Sequence, residues 1–103
     1  MYSFIETRLF SRLIAEYLSD EEYSKIQRTL IENPEAGDVI PGSGGVRRLL
    51  WKGPGRGKRG GIRVIYYARS RQGQIWMLTL YSKNVSENIP AQILRKIKEG
   101  IDV

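Results

Sequence analysis

The sequence predicts an α+β fold in which a short strand and two helices come first, an antiparallel sheet follows, and a last helix closes the chain. Three observations lead there. Apolar residues recur with helical period through the first third of the chain, β-branched and aromatic residues crowd three short runs between Val46 and Lys83, and a proline and a glycine bracket a final helical stretch.

Tyr2-Ser3-Phe4-Ile5-Glu6 reads as a strand, and Thr7 is placed to cap the helix after it. Leu9, Phe10, Leu13, Ile14, Tyr17 and Leu18 then form one apolar stripe. Ser19-Asp20-Glu21-Glu22 has the form of a capping box, in which the serine hydroxyl and the glutamate carboxylate each satisfy a backbone N–H of the other. The second helix should run to about Glu32, with Tyr23, Ile26, Leu30 and Ile31 facing inward. It stops at Asn33-Pro34, because proline disfavours helical geometry in the residue before it. The two helices are expected to run antiparallel.

From Pro34 to Gly45 the chain is rich in Gly, Pro and Ser and reads as a long ordered loop pinned by Val39 and Ile40. Val46 to Lys52, Ile62 to Arg69 and Gln74 to Lys83 are the three strands of an antiparallel meander, since parallel neighbours need longer crossovers. Arg71-Gln72-Gly73 suits a tight turn, and Gly53 to Gly61 is a glycine-rich basic loop. Pro90 and Gly100 bracket the C-terminal helix, which carries Arg95, Lys96 and Lys98.

The length of 103 residues suits one domain. The chain has neither cysteine nor histidine, which removes disulfides, thiolate and imidazole metal ligands and the commonest general base. No cofactor and no metal are therefore expected. No apolar run approaches the roughly 20 residues that span a bilayer, and the N-terminus lacks a signal-peptide layout, so the expectation is a cytoplasmic protein without a membrane partner. The formal net charge is +6, and its distribution is uneven. Residues 1–45 hold four Lys/Arg against eight Asp/Glu, whereas residues 46–103 hold thirteen against three. Between Arg47 and Arg71 there are nine basic residues and no acid, the footprint of a phosphate-binding surface.

Successive side chains of a strand point to opposite faces. This sorting puts Arg47, Leu49 and Trp51 opposite Arg48, Leu50 and Lys52, puts Arg63, Ile65 and Tyr67 opposite Ile62, Val64, Tyr66 and Ala68, and puts Met77, Thr79, Tyr81 and Lys83 opposite Trp76, Leu78 and Leu80. One face thus collects Arg48, Lys52, Arg63, Tyr67, Tyr81 and Lys83, and the helices should cover the other. A face of cations and phenols suits RNA, whose phosphates take the charge and whose bases stack on rings. It also suits RNA cleavage, which needs a base for the 2′-hydroxyl, a cation for the phosphorane and an acid for the leaving 5′ oxygen. A passive RNA-binding module fits the same composition. A DNA-binding protein fits the charge, but no recognition helix is legible.

Asn33-Pro34, the run from Gly37 through Gly42-Ser43-Gly44-Gly45 to Leu49, the run from Gly55 to Tyr67, Leu78-Thr79-Leu80-Tyr81-Ser82-Lys83-Asn84 and the junction Leu18 to Tyr23 together resemble the RelE/HigB toxin family, in order, over most of residues 4–85. The resemblance implies a RelE-like toxin fold with a mobile C-terminal helix. It also implies an mRNA endoribonuclease that enters the ribosomal A site, contacts rRNA and mRNA, is monomeric alone, and is silenced by an antitoxin encoded beside it, of helix-turn-helix type. Carried over by motif, Arg63 is a phosphate or transition-state contact, Arg48 is a basic position of the preceding strand, and Tyr81 and Lys83 reach the active face. Lys58 joins them as a catalytic candidate. Arg47, Lys52, Arg56, Arg59, Tyr67 and Asn84 are the nucleic-acid contacts. The chain departs from the family at Leu50, where relatives carry a second basic residue, at Asn84, where the RelE branch has arginine, and near Ile89-Pro90, where that branch has tyrosine. These departures leave the general base open among Lys58, Tyr81 and Lys83.

Overall fold

β1 (Ser3–Glu6) and the helices α1 (Arg8–Tyr17) and α2 (Asp20–Glu32) lie where the side-chain pattern puts them in the computed structural model, which describes residues 1–53, 61–83 and 89–103. Thr7 caps α1, its hydroxyl oxygen accepting from the Phe10 N–H at 3.1 Å while the same hydroxyl donates to the Leu78 carbonyl at 2.7 Å. Ser19 and Glu22 form the expected reciprocal capping box. Glu6 draws α1 and α2 onto β1, accepting from the Ser11 hydroxyl at 2.6 Å and from the Tyr23 hydroxyl at 2.9 Å. Burial and that carboxylate push the Tyr23 phenol well above its ordinary range.

The sheet order is β1-β5-β4-β3-β2, with β3 at Arg47–Trp51, β4 at Ile62–Arg69 and β5 at Gln74–Ser82. β3, β4 and β5 form the antiparallel meander, a short 3-10 turn at Ser70–Gln72 joining the last two. The sheet is nevertheless mixed rather than antiparallel, because β1 runs parallel to β5, with Ser3 opposite Gln74. The short-connection argument governs only neighbours in sequence, and β1 is separated from β5 by both helices and the meander. The expected loop after Pro34 also contains a two-residue strand, β2 (Asp38–Val39), paired with Arg48 and Arg47. Buried Tyr66 holds that segment, donating to the Pro34 carbonyl at 2.7 Å and accepting from the Gly37 N–H at 2.9 Å. A Cβ on Gly37 would lie 2.8 Å from the Arg48 carbonyl oxygen, so glycine permits the close approach.

Strict alternation fails in β5. Ile65 pairs with Thr79 and Tyr66 with Met77, so Leu78 is an extra residue in a β-bulge. Met77 and Leu80 consequently both join Phe10, Ile26, Leu30, Val64 and Tyr66 beneath α1 and α2, while Leu78 and Tyr81 both join Val46 and Ile65 on the other face. The assignment of Met77 to the charged face and of Leu78 to the face opposite Tyr81 is corrected accordingly.

α3 (Ala91–Ile101) begins after Pro90 and runs through Gly100 instead of ending before it. Asp102 caps it, with Lys98 Nζ 2.8 Å from its carboxylate. α3 does not share a side with α1 and α2. Leu94 packs on Val46, Ile65, Leu78 and Tyr81, so helices cover both faces of the sheet. The apolar group that the bulge turns to this side supplies the reason, since exposing it to water would forfeit its burial. Among the described residues, no helix is long and apolar enough to cross a membrane.

Candidate nucleic-acid interface

Arg63 stands one residue inside β4, with Leu50 of β3 and Tyr81 of β5 as its direct cross-strand partners. Directly opposed residues project from the same face with Cβ atoms about 5 Å apart. The adjacent row holds Arg48 opposite Ile65, and Asp38 opposite Arg48. Lys52 follows β3 and Lys83 follows β5 at this same end of the sheet, both exposed. The structure thus brings Arg48, Arg63 and Tyr81 to one face, and Lys52 and Lys83 to the end of the sheet at which Arg63 and Tyr81 stand.

Local backbone geometry positions Arg63. Its Nη1 donates to the Gly61 carbonyl at 3.2 Å. Gly61 has φ +81°, and a Cβ there would meet the Trp51 carbonyl oxygen at 2.7 Å, so the chain can enter β4 this tightly only at glycine. The bulge does the same service for Tyr81, bringing it beside Arg63 while its ring is held by Ile65, Leu78 and Leu94 at 8% exposure. Among the described residues, no side-chain hydrogen bond or ion pair engages Arg48, Lys52, Lys83 or the Tyr81 hydroxyl. Polar groups without internal partners are available to a ligand.

A cavity of about 390 Å³ opens beside this row. Ile65 and Tyr81 line it from the sheet, Ile40 and Pro41 from the segment after β2, and Pro90 and Leu94 from the start of α3, while Asp38 and Arg48 supply its charges.

Other members of the basic stretch are placed elsewhere. Arg47 projects toward the α1/α2 side, donating to the Gly37 carbonyl at 2.7 Å and lying 3.7 Å from the Glu35 carboxylate. Tyr67 shares the face of Arg63 but stands four residues along β4, about 13 Å away. Its hydroxyl donates to the Asp102 carboxylate at 3.0 Å, and the Lys98 ammonium sits 5.7 Å from its ring centre. Burial and the Asp102 carboxylate raise the Tyr67 phenol above its ordinary range. Arg69 is likewise engaged, 3.3 Å from Asp102 and donating to Gln74 at 3.1 Å. The run from Arg47 to Arg71 is therefore divided between two faces and two ends of the sheet. Lys58, Arg56, Arg59 and Asn84 lie outside the described residues. The residue that sequence reasoning missed is Asp38, whose two-residue strand is too short to show a period.

No family model matches the chain.

Proposed function

We propose that this chain is the toxin of a type II toxin–antitoxin pair, a metal-independent endoribonuclease that cleaves mRNA in the ribosomal A site and acts in the cytoplasm. The observation that carries the reading is the pairing of Arg63 with Tyr81 across β4 and β5, beside Arg48, Lys52 and Lys83, whose side chains have no internal partner among the described residues. The Arg63 guanidinium can bind the scissile phosphate through two parallel N–H groups and stabilise the charge that develops on it. Arg48, two residues along β3 from Arg63's neighbour, takes the next phosphate. The 2′-hydroxyl attacks phosphorus as its proton passes to the neutral amine of Lys58. The P–O5′ bond breaks and the Tyr81 hydroxyl donates a proton to the leaving oxygen, leaving a 2′,3′-cyclic phosphate and a 5′-hydroxyl. Free enzyme is a monomer, and an adjacent helix-turn-helix antitoxin silences it.

Brief induction followed by mapping of mRNA 5′ ends tests this. Wild type should create new ends within reading frames and arrest growth, and Arg63→Ala should not. Unchanged growth and unchanged ends with a folded wild-type chain would overturn the reading.

A second reading, a non-catalytic RNA-binding module, is favoured by Leu50. It is 44% exposed directly opposite Arg63, an apolar residue at the centre of the cationic cluster. On this reading Arg63→Ala weakens ribosome binding and wild type produces no cleavage.

A further inference from the structure

We infer that the cavity between β2 and α3 is a nucleobase pocket that selects guanine through the Asp38 carboxylate, an inference that rests on the chain acting on RNA. The volume of about 390 Å³ falls in the range of small-ligand sites. Its walls suit a flat ring, since Ile40 and Pro41 on one side and Ile89 and Pro90 on the other present apolar surface against which an unstacked base can lie. Its floor, Ile65 and Tyr81, is closed by the packing of Leu94. Leu94, Ile65 and Tyr81 are all nearly buried, so the pocket is preformed and little of it has to be ordered on binding.

The polar groups decide which ring. An ionised carboxylate offers acceptors only, and Asp38 is the acid lining the cavity among the described residues. Guanine presents two adjacent donors on its pairing edge, N1–H and the 2-amino group, which match the two carboxylate oxygens. Adenine and cytosine present one amino donor beside a ring nitrogen acceptor that the carboxylate repels. Uracil presents one N–H between two carbonyls. Asp38 therefore favours guanine over the other three bases.

The charge opposite Asp38 completes a nucleotide site. Asp38 and Arg48 are direct cross-strand partners, so the base and the phosphate of one nucleotide are met by neighbouring side chains. Arg48 stands two residues along β3 from Leu50, the partner of Arg63, a separation of about 7 Å. A guanine seated beside Arg48 places the adjoining phosphodiester at Arg63 and Tyr81, so the pocket determines which phosphodiester is cut.

The test is titration of the isotope-labelled chain with 5′-GMP, 5′-AMP, 5′-CMP and 5′-UMP, read by NMR. Amide shifts should concentrate at Ile40, Ala91 and Leu94, and GMP should bind at least about tenfold more tightly than UMP, the discrimination a bidentate pair supplies. Asp38→Asn should level the four affinities, and Arg48→Ala should weaken all four together. Equal affinities in wild type, or shifts away from these residues, would overturn the pocket whether or not the variants fold. Mapping of 5′ ends separates the two readings. Cleavage in wild type without GMP selectivity removes the pocket and keeps the ribonuclease, whereas selective GMP binding without any cleavage keeps the pocket and removes the ribonuclease.

Discussion

Arg63 is held by a carbonyl of its own chain and by the register of three strands, so replacing it removes a charge without removing a core contact. Arg63→Ala should lower single-turnover cleavage by on the order of 10²–10³-fold, the loss typical of one transition-state donor, and leave the thermal midpoint nearly unchanged. Arg63→Lys should recover little, because an ammonium lacks the planar fork. Tyr81→Phe keeps the ring that packs on Ile65 and Leu94 and deletes only the hydroxyl, so it should slow cleavage by on the order of 10²-fold or more, the contribution of a proton donor, with the fold intact by circular dichroism. Tyr66 supplies the contrast on the opposite face. Its hydroxyl bridges Pro34 and Gly37, and Tyr66→Phe strands a buried N–H and a carbonyl, which should cost about 1–3 kcal/mol in urea unfolding with RNA affinity unchanged. The shared face of Arg63 and Tyr81 was legible in the sequence, because β4 is long enough to show its period, but their direct pairing was not, because the bulge in β5 sets that register. Asp38 was not, because two residues show none.

At the scale of elements, the helix starts are the most local features of the chain and the most legible. Thr7, Ser19 and Glu22 act on backbone groups within three residues of themselves. α3 is different, since a contact distant in sequence holds its end. The Asp102 carboxylate sits among Lys98, Tyr67 and Arg69, and the Lys98 ammonium, helped by the Tyr67 hydroxyl, holds its carboxyl below the usual carboxylate range. A carboxyl whose pKa is lower when folded contributes stability above its unfolded value, and that contribution is lost as pH falls through the folded value. Protection of α3 amides against hydrogen exchange should therefore be constant at neutral pH and decline below about pH 4. Asp102→Asn should abolish that decline. The same latch explains why α3 passes Gly100, a residue whose position suggested a stop.

At the scale of the molecule, the formal charge of +6 acts through its placement. Arg47 and Arg69 are taken up by Glu35 and Asp102, so they add little to a phosphate surface. Lys52 and Lys83, exposed at the Arg63 end, should each account for about one unit of the slope of log affinity against log salt for RNA. Lys52→Ala and Lys83→Ala should each lower that slope by about one in filter-binding titrations, whereas Arg69→Ala should leave it unchanged and loosen α3 instead.

By itself the sequence determined β1, the three helices, the caps that start α1 and α2, the three strands of the meander, and the concentration of positive charge after residue 45. Each of these follows from interactions among residues close along the chain, which periodicity and composition record directly. Only the tertiary structure decided that β1 joins β5 in parallel, that a bulge at Leu78 turns Tyr81 toward Arg63, that α3 takes the second face of the sheet, and that Asp38 reaches a cavity beside Arg48. Those outcomes depend on which distant surfaces bury one another, and a contact between residues far apart in sequence leaves no period to read.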